Sequence, residues 1–496
     1  MAYLDRYLRD RTLILLSNRE PYEHVMRDGA VHVRQPAGGL VSALDPTMQQ
    51  THGTWVAWGS GNADHESADS EGRLMVPPDD PRYTLRRVWL DAEDIEHYYL
   101  GFANSVLWPI CHMLIQHLEI RDEQWLRYRD VNRRFAEAVA DEARRADGTP
   151  MVWIQDYHFA LVAHELRNEI PDLFIHQFWH IPFPPLDILG LLPMDVLEAV
   201  LRGMLGNDLL EFHTRRYAMN FLSCVEYFMP DAEVRRASLS VEYDGREIFL
   251  GVFPISIDVE LYENLASSPA ADERVRELRE RYAAGPNQLG VSVDRIDYTK
   301  GIPERLHALE VLWERYPELR GEFSVILVAT PSRTDIDAYR QLEADVISTV
   351  AEINHRFGNP DWTPIVLIHE NVSSELLASI YRAGDLCMVS SLQDGMNLVA
   401  KEFIACQTDE RGVLVLSRFT GAAEAIEGAV LINPFNVDGF VEGIRTALAM
   451  PMEERRRRMQ RMRVQLHDTT IFDWMGAILS RASELMTRNE PSPTSP

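Results

Sequence analysis

Cysteine is scarce in this chain, and no stretch of its 496 residues stays apolar for the length of a membrane span. The four cysteines, Cys111, Cys224, Cys387 and Cys406, are scattered and lack metal-ligand spacing. That excludes a disulfide scaffold and a cysteine-held zinc site, and predicts buried thiols in a reducing compartment. The opening "MAYLDRYLRDRTLILLSNRE" mixes charged and apolar residues and is neither a signal peptide nor a span, so a cytoplasmic location is expected. Positive charge is also short: 49 Lys and Arg face 76 Asp and Glu, a net charge of −27. Binding to nucleic acid or to an anionic membrane is therefore not expected, because phosphate recognition needs a positive field. A local basic pocket is still compatible with that balance, and a high-salt habitat is left open. The chain lacks a nucleophile elbow and an HExxH pair, so hydrolysis by a serine triad or a zinc ion finds no support.

What is present is an alternation. Apolar runs of strand length, such as Thr12–Ser17, Thr54–Trp58, Leu85–Leu90, Met151–Gln155, Leu173–Phe178 and Asp208–Phe212, are separated by longer amphipathic patterns. The pattern resumes with Leu289–Val293, Phe323–Val328, Ile365–Ile368, Leu386–Val389 and Val413–Leu416. This predicts an α/β fold of two Rossmann-like, doubly wound domains with parallel sheets wrapped by helices. A strand leaving through Pro254 and a loop rich in Ser, Pro and Ala place the boundary after residue 256. The expected domains are 1–256 and 257–465, followed by a C-terminal helix over 466–484 and a disordered, proline-containing tail over 485–496. Two such domains in tandem suggest a ligand between them at the carboxyl ends of the strands.

Polar residues that follow strands are therefore the candidates. In "GVSVDRIDYTKG", Arg295 and Lys300 lie on a turn that closes at Gly301 and leads into a helix, an arrangement suited to a diphosphate. Arg333 in "VATPSRTDIDAYR" could fork onto a phosphate, or could pair with Asp335 or Asp337. Arg19 ends the first strand in "SNREPY", and Gly38-Gly39 precede a helix; either could serve a phosphate, though a Gly-Gly pair is more often a simple turn. Asp156 in "WIQDYHF" and His180 in "FIHQFWHIPFPP" fall at strand ends, where a structural cap and a satisfied core histidine are the bland alternatives. In "SSLQDGMNLVAKE", Gly395 lets backbone N–H groups approach a ligand, and Asn397 caps a helix whose amides at Leu398 and Val399 then face an anion. Asp394 suits a polyol and Glu402 a ribose diol; the alternative is an Asp-Gly turn ahead of a core helix.

Taken in order, "SNR", "AGGL", "GTWVAW", "YYLGFANSVLWP", "DYH", "HIPFP", "DRIDYTKG", "TPSR" and "DGMNLVAKE" resemble the retaining glycosyltransferases of family 20 that make trehalose 6-phosphate, from about Leu13 to Arg461. The resemblance implies a GT-B fold with its last helix returning to the first domain. It implies that Arg295, Lys300 and the Leu398 and Val399 amides hold the donor diphosphate, Glu402 the ribose, and Asp394 and His180 the donor glucose. Asn397 would start the diphosphate-binding helix, and Gly39 would shape a loop over the donor. Arg19, Tyr99 and Arg333 would hold the acceptor phosphate, with Trp108 lining the pocket and Asp156 on the acceptor sugar. Asp156, His180, Arg295, Lys300 and Asp394 would form the catalytic set. UDP-glucose or GDP-glucose and glucose 6-phosphate would be the substrates. No cofactor and no metal would be needed, because the two cations replace one, and a separate trehalose-phosphate phosphatase would consume the product. A homo-oligomer is compatible with all of this.

The match has departures. Gln155 stands where the family usually has His, "EFHT" (Glu211, His213) replaces "GFQT", Gln393 replaces Arg, and "REPY" replaces an "RLP"-like run. Two of these lean towards glucosylglycerol-phosphate synthases acting on glycerol 3-phosphate, whereas Arg333 matches the trehalose-forming branch. A pseudo-glycosyltransferase and a non-catalytic sugar-phosphate sensor are further readings of the same fold.

Overall fold

The computed structural model describes residues 7–8, 10–35, 39–283 and 287–489. They divide into two compact units, one running to Pro254 and resuming at Phe472, the other spanning Ile255–Ile471. In chain order, the first unit contains β1 (Arg11–Arg19), β2 (Glu23–Arg27), β3 (Ala30–Arg34), β4 (Thr54–Trp58), β5 (Arg73–Val76) and β6 (Tyr83–Val88). These are followed by β7 (Thr149–Gln155), β8 (Phe174–Trp179), β9 (Leu209–Phe212), β10 (Glu233–Arg235), β11 (Ser240–Tyr243) and β12 (Arg246–Val252). Its ten-stranded sheet has the order β10-β11-β12-β9-β8-β7-β1-β4-β6-β5, while β2 and β3 form a separate hairpin. The run from β12 to β6 is parallel, and the antiparallel pairs lie at the two edges. Central strands such as β1 and β8 are buried nearly end to end, which accounts for their continuous apolar runs.

From β1 the chain winds outward through β4 and β6, then returns to the other side of β1 as β7. The strand order therefore reverses between β1 and β7, and Arg19 and Asp156 sit at the ends of those two strands. The second unit repeats this logic with β13 (Gln288–Arg295), β14 (Phe323–Thr330), β15 (Ile365–Ile368), β16 (Leu386–Val389), β17 (Val413–Ser417) and β18 (Val430–Ile432). Its six strands are all parallel, in the order β15-β14-β13-β16-β17-β18, and reverse between β13 and β16. At such a reversal the flanking helices depart to opposite faces of the sheet and leave room for a ligand beyond the strand ends.

The hairpin β2–β3, the edge strands β5, β10 and β18, and β11 next to the edge were not among the expected strands. Two of the tight turns carried a signal in the sequence: Asp28-Gly29 has φ of 50° and 77°, and Asp244-Gly245 has 50° and 70°. Paired positive φ values are what an Asp-Gly hairpin turn requires. The C-terminal region also differs from expectation. One helix ends at His467, and the last runs Ile471–Asn489, so residues 485–489 are helical instead of disordered. Leu485 and Met486 are buried, and this apolar face carries the helix onward. Residues 490–496 lie outside the described part. Within the first unit this helix is anchored by Trp474, which donates to the Phe253 carbonyl, and by Ser483, which accepts from Arg11.

Candidate functional site

In the second unit, Arg295 ends β13 and extends an exposed guanidinium that makes no hydrogen bond or ion pair among the described residues. The backbone then makes one tight turn over Tyr298–Lys300 and reverses at Gly301 (φ 62°) before the helix Ile302–Arg315. Glycine is required there on two grounds. Its φ is left-handed, and a Cβ would lie 2.2 Å from the Ser390 carbonyl oxygen. The close approach locks the loop after β13 to the loop after β16. Arg305, fully buried below, reinforces it by donating to Asp294 (2.7 Å), to Ser390 and to the Lys300 carbonyl. Burial raises the Asp294 carboxyl above its ordinary range even with Arg305 and Lys300 nearby.

Lys300 is brought by that loop to Asp394, with Nζ 2.6 Å from Oδ2. The same oxygen also accepts from Asn397 (3.1 Å) and Ser391 (3.2 Å). Asn397 adopts φ 84° and caps the helix Leu398–Cys406 by accepting from the Ala400 N–H. The amides of Leu398 and Val399, in the first turn, have no carbonyl one turn back to bond. Lys300, Arg295, these amides and Asp394 thus gather at the strand-order reversal. The arrangement offers positive charge and aligned N–H dipoles beside one carboxylate, which suits a diphosphate attached to a polyhydroxylated group. One turn further on, Glu402 accepts from Tyr381 (2.8 Å) and is also bonded by Tyr262; burial raises its carboxyl above the ordinary range.

Arg333 was expected to bind phosphate or to pair with Asp335 or Asp337. It belongs to the second unit, has φ 46°, and pairs with Asp297 at 3.1 Å while bonding Tyr339 at 2.7 Å. Burial by itself would raise the Asp297 carboxyl, but Arg333, Arg295, Lys300 and the Thr299 N–H hold it below the ordinary range. Asp297 and Arg305 were not singled out from the sequence, although "DRIDYTKG" contains the first.

In the first unit, Arg19 ends β1 with an exposed side chain. Asp156 follows β7 at φ 71°, a left-handed conformation that is strained for aspartate. Its N–H bonds the Phe178 carbonyl at 2.7 Å, and its Oδ1 accepts the His180 N–H at 3.2 Å, so the ends of β7 and β8 are tied together. His180 Nε2 lies 2.9 Å from the Gln155 amide oxygen. Burial, with the neighbouring His213 second, holds the His180 imidazole well below its usual pKa, and the ring is neutral at neutral pH.

Tyr99 and Trp108 come from an uncommon element, a π-helix over Ile95–Leu107 that hands over to a short α-helix at Trp108. Wide turns of this kind recur at functional sites because they re-aim side chains. Tyr99 lies between Trp58 (ring centroids 5.7 Å apart) and His158 (5.9 Å), and buried Trp108 packs on Tyr157 (5.8 Å). The "DYH" segment and the π-helix thereby form one aromatic cluster beside Asp156. Trp58 and His158 escaped the sequence reading because their neighbours are distant in the chain. Gly39 is the first residue of the helix Gly39–Thr51, and Gly38 lies outside the described residues. Among the described residues no group of three or more His, Cys, Asp or Glu could hold a metal ion, and no helix is long and apolar enough to cross a membrane.

Comparison with known proteins extends this picture. The model of Glycosyltransferase family 20 matches residues 11–484. The trehalose-6-phosphate synthase of Mycolicibacterium vanbaalenii is 38% identical over 473 residues, covering 94% of each chain. The UDP-forming alpha,alpha-trehalose-phosphate synthase 2 of Aspergillus niger is 34% identical over 485 residues, 96% of this chain and 98% of that one. Two solved structures align at a TM-score of 0.83 and 31% identity. One is trehalose-6-phosphate from E. coli bound with UDP-2-fluoro glucose, with 96% of this chain and 99% of that chain covered. The other is the UDP-forming alpha,alpha-trehalose-phosphate synthase of Burkholderia xenovorans in complex with glucose-6-phosphate, with 95% and 99% covered.

Proposed function

Because the chain belongs to glycosyltransferase family 20, we propose that it moves glucose from UDP-glucose to glucose 6-phosphate, giving α,α-trehalose 6-phosphate with retention at the anomeric carbon. Its fold is GT-B, in keeping with TM-scores of 0.84 and 0.85 against UDP-forming trehalose-phosphate synthases of Burkholderia. The observation that carries the reading is the cluster of Lys300, Arg295, Asp394 and the helix start at Leu398 where β13 and β16 part. Curated relatives named UDP-forming support uridine over guanosine in the donor.

In this proposal Arg295, Lys300 and the amides of Leu398 and Val399 hold the diphosphate, and Glu402 holds the ribose. Asp394 and His180 bind hydroxyls of the transferred glucose. Arg19, Tyr99, Trp108, Asp156 and Arg333 serve the acceptor. The acceptor's anomeric hydroxyl attacks the donor's anomeric carbon on the face from which the diphosphate departs. The bond from that carbon to the diphosphate oxygen breaks with its electron pair on the oxygen, which then takes the hydroxyl proton. The protein's contribution is to position both sugars and to stabilise charge growing on the leaving group, which fixed cations and amide dipoles do without reorganising. A cytoplasmic setting is supported by the four buried, unpaired cysteines. The product keeps its phosphate, so a phosphatase reaction would consume it.

A matrix of UDP-glucose and GDP-glucose against glucose 6-phosphate and glycerol 3-phosphate, read by nucleotide release, tests the proposal. Turnover is expected with UDP-glucose and glucose 6-phosphate. Activity with glycerol 3-phosphate alone would overturn the acceptor assignment, and binding without turnover would point to a sensor.

A further inference from the structure

Gln155 is the last residue of β7 and is 1% exposed. In register, Gln155 lies beside Phe178 of β8, and Phe178 beside Glu211 of β9. Because side chains alternate across a sheet, His180 and His213, two residues further along their chains, continue the same face. His180 is surrounded there by Gln155 at the end of β7, Asp156 just after it, the Phe178 ring at 4.4 Å, the His213 ring at 5.4 Å and the Trp474 ring at 6.2 Å. Of these neighbours only Asp156 and His213 titrate. Asp156 Oδ1 accepts the His180 main-chain N–H. The next titratable groups on this face, Glu211 and His176, are bonded to each other at 2.7 Å.

The one side-chain hydrogen bond of Gln155 among the described residues runs from its amide oxygen to His180 Nε2, at 2.9 Å; its amide nitrogen is buried without a partner there. An amide oxygen can only accept, and a neutral imidazole has one N–H and one lone pair. With the amide oxygen turned to the ring, Nε2 carries the proton and Nδ1 the lone pair; the reversed amide would donate to Nε2 and give the opposite tautomer. We propose that Gln155 is a positioning residue that locks His180 in the Nε2–H tautomer and so presents Nδ1 as an acceptor to a substrate hydroxyl. The hydroxyl half of this inference rests on the donor-glucose role given to His180 above. A histidine at position 155 could donate or accept, and its choice would change with protonation. Glutamine does not titrate, so in this chain the lock is independent of pH.

Heavy-nitrogen NMR of protein labelled in its histidines tests the lock directly, with the His180 signals assigned by their loss in His180→Asn. A pyrrole-type Nε2 and a pyridine-type Nδ1, unchanged across the neutral range, are expected. In Gln155→Leu both tautomers should appear and kcat should fall about tenfold, the worth of one hydrogen bond, with the acceptor KM changed less than about twofold. Gln155→Glu keeps an acceptor oxygen and should restore the tautomer. Its charge favours the imidazolium, so kcat should gain an acid limb that the parent enzyme lacks. An Nδ1–H tautomer in the parent protein, or a Leu variant with parental tautomer and kcat, overturns the inference. If the parent protein released no UDP with any acceptor, the functional reading would fail, while the NMR result would still decide the tautomer lock.

Discussion

Lys401 gives the sharpest prediction about stability. It lies on the buried face of the helix Leu398–Cys406, is 2% exposed, and has as its hydrogen-bond acceptor the carbonyl of Ile255, 2.7 Å away. Among the described residues no carboxylate pairs with the ammonium there, and burial lowers its pKa from the ordinary 10.5 to about 7. That displacement corresponds to about 5 kcal/mol, charged fully against the folded state below pH 7, where folded and unfolded chains both hold the proton. Between pH 7 and 10.5 the unfolded chain keeps a proton that the folded chain has lost, so folding stability rises with pH, by about 1.4 kcal/mol per unit at most. From pH 7 to pH 9 this one group contributes a gain of about 2 kcal/mol. Lys401→Met keeps the side-chain volume and removes the titration, together with the hydrogen bond from the ammonium to the Ile255 carbonyl. Denaturant unfolding of the parent and the variant over pH 7–9 measures the difference, and titrations common to both chains cancel. The parent curve should climb towards, or past, that of the variant as pH rises. Parallel curves would refute the depressed pKa.

Three further outcomes follow from the site. Lys300→Ala should lower kcat by about 10²- to 10³-fold, the usual loss when one preorganised donor to a leaving group is removed. Circular dichroism should stay unchanged, because Asp394 keeps Asn397 and Ser391 as partners; a kcat within twofold of the parent would remove Lys300 from the leaving-group site. Arg333→Ala should raise the KM for glucose 6-phosphate and leave UDP affinity by calorimetry nearly unchanged, and an equal loss of UDP affinity would contradict the acceptor assignment. Asn397→Ala should destabilise by about 1–2 kcal/mol through the lost cap, with added strain at φ 84°, and should weaken UDP binding in parallel. Intact UDP affinity in that variant would show that the helix start does not hold the diphosphate.

Much of the architecture was legible because it is written in local periodicity. Buried parallel strands must be apolar over their whole length, and β1, β7, β8, β13 and β14 stood out for that reason. Edge strands and hairpins have one wet face and blur into loops, which hid β2, β3, β5, β10 and β11, although Asp-Gly turns marked the β2–β3 and β11–β12 hairpins. The clustering of Lys300, Asp394 and Asn397 beside Arg295 could be anticipated too, since each lies at or soon after a strand end and a strand end has few directions in which to send a side chain.

Pairing was another matter. Nothing near Arg333 in the chain names Asp297 as its partner; the two meet because β13 and β14 are parallel neighbours whose ends lie side by side. Lys401 reads as an ordinary helix lysine until tertiary packing buries it against Ile255. Gln155 reads as an imperfect match until β7 and β8 bring it to His180, and Trp474 reaches the same face from the far end of the chain. By itself, therefore, the sequence determined which segments form the buried parallel strands and which residues follow them. Only the tertiary structure decided which charges are paired, which are desolvated and which side chain faces the His180 ring. Those properties depend on neighbours hundreds of residues away, and local periodicity carries no record of them.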